Sequence, residues 1–135
     1  APYPPIFVTV DALVVCREHV LVVERGGQPG CGLLALPGGF LNPDENLRDA
    51  CLRELHEETG LQLPRDAVRR VFVADKPDRS AIGRVITHLH VIPLDGDPPA
   101  VRGMDDAARA FWLPLAELHR DRFHDDHYYL IRDNL

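Results

Sequence analysis

Cysteine is scarce in this chain. Only Cys16, Cys31 and Cys51 occur, with no C-x-x-C pair, so no disulfide framework fits and a reducing, cytoplasmic compartment is expected. Basic side chains are also short: 15 Lys and Arg face 21 Asp and Glu, a net charge of −6. A nucleic-acid platform needs a basic face, so that class is excluded, although a nucleotide bound through a cation is not. No apolar run approaches the roughly 18 residues that a membrane-spanning helix needs, and no segment reads as a signal peptide. Internal repeats and low-complexity tracts are absent too.

What is present suits one globular domain. The 135 residues are 45% hydrophobic and 27% charged, and a chain near this length buries roughly two-thirds of its unfolded surface. The start, APYPP (residues 1–5), is Pro-rich, has no initiator Met and reads as a linker or terminus, leaving residues 6–135 as the domain.

Pattern predicts the elements in order. Ile6 to Arg17 reads as a long strand, Glu18 and His19 as a turn, and Val20 to Arg25 as the return strand of a hairpin. The glycine-rich stretch 26–32 reads as a loop, and Leu33 to Leu36 as a short apolar run that stops at Pro37, Gly38 and Gly39. Two glycines there let backbone approach a ligand or ion, or simply make a tight turn. Pro43, Asp44 and Asn46 supply turn and cap chemistry for a helix whose apolar stripe is Leu47, Ala50, Cys51 and Leu55 and whose stop is Gly60. Strands are expected at Val68 to Ala74, Val85 to Leu94 and Ala110 to Leu113. Pro114 to Leu118 reads as one helical turn with proline at N1, and Asp125 to Asn134 as a closing helix with Tyr128, Leu130 and Ile131 facing inward. Strands interleaved with two helices predict an α/β (α+β) fold with a mixed sheet covered on both faces.

The chemistry concentrates on the central helix. Glu54, Glu57 and Glu58 stand at i, i+3 and i+4, on one side of the helix, where like charges repel. A cation among them removes that repulsion, and an oxygen-only donor set points to Mg²⁺ or Mn²⁺. Arg53, four residues before Glu57, is placed to hold that carboxylate. His88 and His90 share a strand face without a third ligand, so packing is expected of them, and His119, His124 and His127 show no ligand spacing.

The segment Gly39 to Leu61 reads G-x5-E-x7-R-E-U-x-E-E-x-G-U, where U is a bulky aliphatic. Gly39, Glu45, Arg53, Glu54, Leu55, Glu57, Glu58, Gly60 and Leu61 fill every specified position. This resembles the box of the Nudix hydrolases, which cleave a diphosphate linked to another moiety. The resemblance implies an αβα sandwich, Glu54 and Glu58 as main metal ligands, Glu57 sharing ligation, the Gly38 carbonyl completing the shell, Arg53 as orienter and Glu45 as a structural residue. It implies a general base outside the box, for which Asp106 is the first choice and Asp105 the second. Arg25, Gly39 and Arg84 are the expected substrate contacts, while Arg79 reads as a surface side chain.

Pro77, sixteen residues after Leu61, and the runs VERGGQPGCGLLALPGGFL, DRSAIGRVITH and RGMDDAARAFWLPL are similar to the Nudix domain fused to nicotinamide mononucleotide adenylyltransferase and to related ADP-ribose pyrophosphatases. That implies hydrolysis of ADP-ribose to AMP and ribose 5-phosphate, with the Pro-rich start as a linker from an adenylyltransferase domain. Cys31, Ile82, Met104 and Leu34 depart from that group's usual Lys, Arg, Gly and Trp, and the loop presenting Asp106 is expected to stiffen at Met104. The alternatives are another Nudix substrate (an oxidised nucleoside triphosphate, a dinucleoside polyphosphate or NADH) or an ADP-ribose-sensing module of a regulator that does not cut. A homodimer partner completing the pocket is a further expectation.

Overall fold

The computed structural model describes residues 3–135, so the first two residues of the Pro-rich start lie outside the described residues. The chain opens with a hairpin of β1 (Phe7–Cys16) and β2 (His19–Arg25). Its turn falls on Arg17 and Glu18, with φ of 47° and 62°, while His19 already pairs with Cys16. The expected Glu18–His19 turn is thus displaced by one residue. Two consecutive left-handed residues match the right-handed twist of the strands, which sets the turn position despite the absence of glycine.

The sheet runs β3 (Leu34–Ala35), β2, β1, β6 (Val85–Leu94) and β5 (Arg70–Ala74), with β4 (Gly38–Phe40) paired to β1 and β7 (Ala107–Pro114) to β2. β1 and β6 are parallel and the remaining pairs antiparallel, so the expected mixed sheet is present. β1 is buried on both faces, which explains its nearly unbroken apolar run. Val10, Ala12 and Val14 pack toward α1 (Leu47–Thr59), against Ala50, Cys51 and Leu55. Leu13 faces the opposite layer, which contains Leu130 and Ile131 of α2 (His127–Asn134). Helices therefore cover both sides.

Helix α1 follows its sequence signals. The Asn46 side chain accepts the Asp49 amide at 3.0 Å, and Gly60 ends the helix at φ 77°, its N–H donating to the His56 carbonyl at 2.9 Å.

Other boundaries differ from expectation for tertiary reasons. Gly38 and Gly39 form a strand rather than a turn, because β1 offers them a free edge. β5 begins at Arg70, after a 3₁₀ turn at Arg65–Ala67. β7 extends beyond Ala110–Leu113 because β2 provides partners from His19 to Arg25. Pro114 precedes a 3₁₀ turn, Leu115–Glu117, instead of opening an α-helical one. α2 starts at His127, since Asp125 takes a left-handed φ of 47°. Leu130 and Ile131 are buried as expected, and Tyr128 is partly so.

Leu55 is fully buried between α1 and the sheet. Leu55→Ala is expected to lower stability by about 2–5 kcal/mol; urea unfolding with an unchanged m-value checks this.

Candidate active site

One cleft of about 990 Å³ lies where β1, β4 and α1 meet. β4 runs close to its neighbours at its two glycines. A Cβ on Gly39 meets the Glu54 carboxyl at 2.7 Å, and one on Gly38 meets the Val10 carbonyl at 2.1 Å and Asp11 Oδ1 at 2.4 Å. Gly38 is thus a steric requirement, while Gly39 leaves the space that the Glu54 carboxyl occupies.

Glu54, Glu57 and Glu58 of α1 all line the cleft. Arg53 organises the outer part of the cluster. Its Nε and Nη2 donate to both oxygens of Glu45 at 2.8 and 2.6 Å, and its Nη1 donates to Glu54 at 2.9 Å and Glu57 at 3.1 Å. The fork to Glu45 is bidentate, so Glu45 is the principal partner of Arg53 and Glu57 a lesser one. That pairing holds the Glu45 carboxyl below the usual carboxylate range and the Arg53 guanidinium above its ordinary value.

Glu58 has no such cation. The Gly38 amide donates to its Oε1 at 2.8 Å, yet burial pushes its pKa up to about 8, with Glu54, Asp11 and Asp106 adding repulsion. Burial also raises Glu54, against the pull of Arg53.

As the side chains stand, no three acidic, histidine or cysteine groups among the described residues close into a metal cage. The donor set nevertheless fits a hard divalent ion. Each of Glu54, Glu57 and Glu58 uses one carboxylate oxygen on a protein donor and keeps the other without one. Ala12 bonds Pro37 and Leu41 bonds Val8 on the β1–β4 ladder, which puts Gly38 at the off-ladder position between them. Its carbonyl therefore points away from β1, on the side where its N–H meets Glu58.

Behind this cluster sits a buried polar group that sequence reasoning missed. Asp11 is a lone acid inside the apolar run FVTVDALVV, which was its one signal. Thr87 Oγ1 donates to its Oδ2 at 2.5 Å, and burial raises its pKa to about 7. His127 faces it across 4.0 Å, from Nε2 to Oδ1. The His127 Nδ1 accepts the Leu36 amide at 2.9 Å, so Nε2 carries the ring proton. Burial lowers the His127 pKa to about 3. The neutral ring thereby anchors the segment that leads into Gly38.

Asp105 and Asp106 line the wall opposite, on a loop tied to the end of α1 by the Met104 amide and the Glu58 carbonyl, 2.9 Å apart. Arg25 lines the cleft, with its Nε donating to the Pro29 carbonyl at 2.7 Å. Gly39 lines it as well. Arg84 does not; its guanidinium donates to the Asp75 carbonyl. The cleft takes Arg79 instead. Its side chain is only 3% exposed and forks onto Asp126 at 2.7 and 2.9 Å, so the expected surface position is corrected. His88 and His90 lie elsewhere, on β6, and do not line the cleft.

The Nudix domain family matches residues 5–133, and the chain belongs to that family as a Nudix hydrolase. Among curated relatives, the ADP-ribose pyrophosphatase of Methanocaldococcus jannaschii is 34% identical over 93% of this chain and 71% of that protein. A bifunctional NMN adenylyltransferase/ADP-ribose pyrophosphatase from Francisella tularensis, solved with AMP and a manganese ion, is 41% identical with a TM-score of 0.91. That alignment covers 98% of this chain and 42% of the longer one, so the chain spans about two-fifths of that protein. The Nudix domain of Shewanella oneidensis NrtR, solved with ADP-ribose, is 28% identical with a TM-score of 0.85, over 96% of this chain and 86% of that one.

The buried Asp11 gives a pH test in metal-free protein. Its folded pKa of about 7 lies above the ordinary 3.8, so its contribution to stability is full below pH 4 and is lost as pH rises toward 7. Asp11→Asn removes that loss. With chelator present, the variant is expected to gain on wild type between pH 4 and 8 by on the order of 2–4 kcal/mol, read from denaturant midpoints across that range.

Proposed function

We propose that this domain hydrolyses ADP-ribose to AMP and ribose 5-phosphate with a divalent ion, Mg²⁺ or Mn²⁺. The observation that carries the reading is that Gly38, Glu54, Glu57 and Glu58 line one cleft, each carboxylate with one oxygen bonded to no protein donor among the described residues. The chemistry a bound divalent ion supplies is neutralisation of diphosphate oxygens and a lowered pKa for the attacking water.

The chain's own groups do the rest. Glu54, Glu57, Glu58 and Gly38 hold the ion in this reading. Arg53 fixes the rotamers of Glu54 and Glu57 through its two short bonds. Asp106, on the facing wall, takes the proton from water, and Asp105 is the second choice. Arg25 meets a phosphate oxygen, and Gly39 lets the diphosphate approach the backbone. Arg84 joins them as a contact only if its guanidinium turns from the Asp75 carbonyl.

The ADP-ribose assignment is supported by the relatives named for that activity and by the neighbour solved with ADP-ribose. On the same reading residues 6–135 form the hydrolase domain, and its work belongs to cytoplasmic NAD-related metabolism. A sensing module is the second reading, favoured by the NrtR neighbour. The complete box supports hydrolysis over sensing, because binding alone has less use for three carboxylates on one cleft.

Glu58→Gln is expected to keep ADP-ribose binding and lower turnover at least about 10²-fold, measured as AMP released with Mg²⁺. AMP should form faster from ADP-ribose than from NADH, dinucleoside polyphosphates or oxidised triphosphates, and chelator should abolish it. Binding of ADP-ribose without AMP release by the wild type would establish the sensor instead.

A further inference from the structure

Strand β5 is the outer strand of the sheet and, among the described residues, pairs only with β6. Its other edge presents unpaired backbone groups. Natural edges of this kind are blunted by charge, proline or a bulge, or are covered. The middle of β5 carries none of these: it reads Val71, Phe72, Val73, and all three are more than 40% exposed. Successive side chains point to opposite faces, so both faces of the strand are left partly open.

We propose that β5 is the seam of a two-fold homodimer, with β5 of one copy lying antiparallel to β5 of the other and centred on Phe72. An isologous contact must complement itself, and this strand does. Centring on Phe72 sets Val71 opposite Val73 of the second copy, Arg70 opposite Ala74, and Arg69 opposite Asp75. Arg69 and Asp75 are both exposed, and neither has an ion-pair partner among the described residues. The register thus forms two Arg69–Asp75 pairs, one at each end of an apolar centre. Arg70 does not compete, because its guanidinium is held by Asn134 at 3.2 and 2.8 Å. A single-residue slip sets Arg69 opposite Ala74 or Lys76 and loses both ion pairs, so charge selects the register as well as the partner.

Sedimentation velocity on the whole 135-residue chain at micromolar concentration tests this. Wild type should sediment as a dimer and Phe72→Lys as a monomer, with the circular dichroism spectrum unchanged because the position is exposed. Arg69→Asp and Asp75→Arg should each raise the dimer Kd roughly tenfold. The double reversal should return it to near the wild-type value, an outcome that general surface damage does not produce. A monomeric wild type overturns the proposal, as does a dimer indifferent to Phe72→Lys or a double reversal that fails to recover.

Discussion

Everything at the cleft depends on how closely β4 is wedged between β1 and α1. A methyl group at residue 39 would sit 2.7 Å from the Glu54 carboxyl, and one at residue 38 would be 2.1 Å from a β1 carbonyl. At residue 39 the Glu54 carboxyl would have to move, whereas the contact at residue 38 cannot be relieved by turning a flexible tip, since the obstacle is main chain. A side chain there would move the strand off β1 or the helix off the strand. Either shift separates the Gly38 amide from Glu58 and opens the spacing among the carboxylates. The packing of β4 therefore depends on the side chain missing at Gly38, and the one missing at Gly39 leaves room for the Glu54 carboxyl.

Charge is divided unevenly across that geometry. Arg53 bonds Glu45, Glu54 and Glu57, so a single guanidinium spans the outer carboxylates. Glu58 and Asp11 lie deeper and have no guanidinium bonded to them. Burial raises both well above the carboxylate range, to about 8 and about 7. Arg79, the nearest buried cation to Asp11, is already forked onto Asp126. The protein has thus partly offset the charge of the rim with one guanidinium and, among the described residues, left the floor without a bonded cation. A divalent ion is the species that such an arrangement lacks, because it adds charge where no side chain does.

Local chemistry was legible and long-range pairing was not. The span of α1 could be read from Asn46 and Gly60, because caps act on their own helix. β6 was delimited by its own composition. Gly38 and Gly39 read as a turn because glycine carries no strand propensity, and only the free edge of β1 makes them β4. Asp11 is polar in a strand that is buried on both faces, and what it meets there, Thr87 and His127, lies 76 and 116 residues away. The arginines show the same limit. Arg79 and Arg84 occupy one loop and look alike in sequence. Only Asp126, brought in at the start of α2, decides which of them is buried in the cleft.

The departures from the fused-domain pattern can be weighed against this division between a local box and remote walls. Ile82 lines the cleft but is half exposed, so the change from a cation removes a charge at the mouth and leaves the floor intact. Cys31 is exposed and does not line the cleft. Met104 bears on the loop that presents Asp106. Its amide bonds the Glu58 carbonyl and its carbonyl accepts the Ala107 amide, at 2.9 and 3.0 Å. Both bonds are main chain, and Met104 is not among the residues with positive φ. The left-handed residue in that loop is Asp105, with φ 52°. A glycine at 104 would therefore supply freedom the turn does not use, while the tether that holds this loop at the cleft is independent of the side chain. The added stiffness at Met104 acts on a position the native backbone already occupies without strain, so it favours the presentation of Asp106 by restricting the unfolded chain more than the folded one.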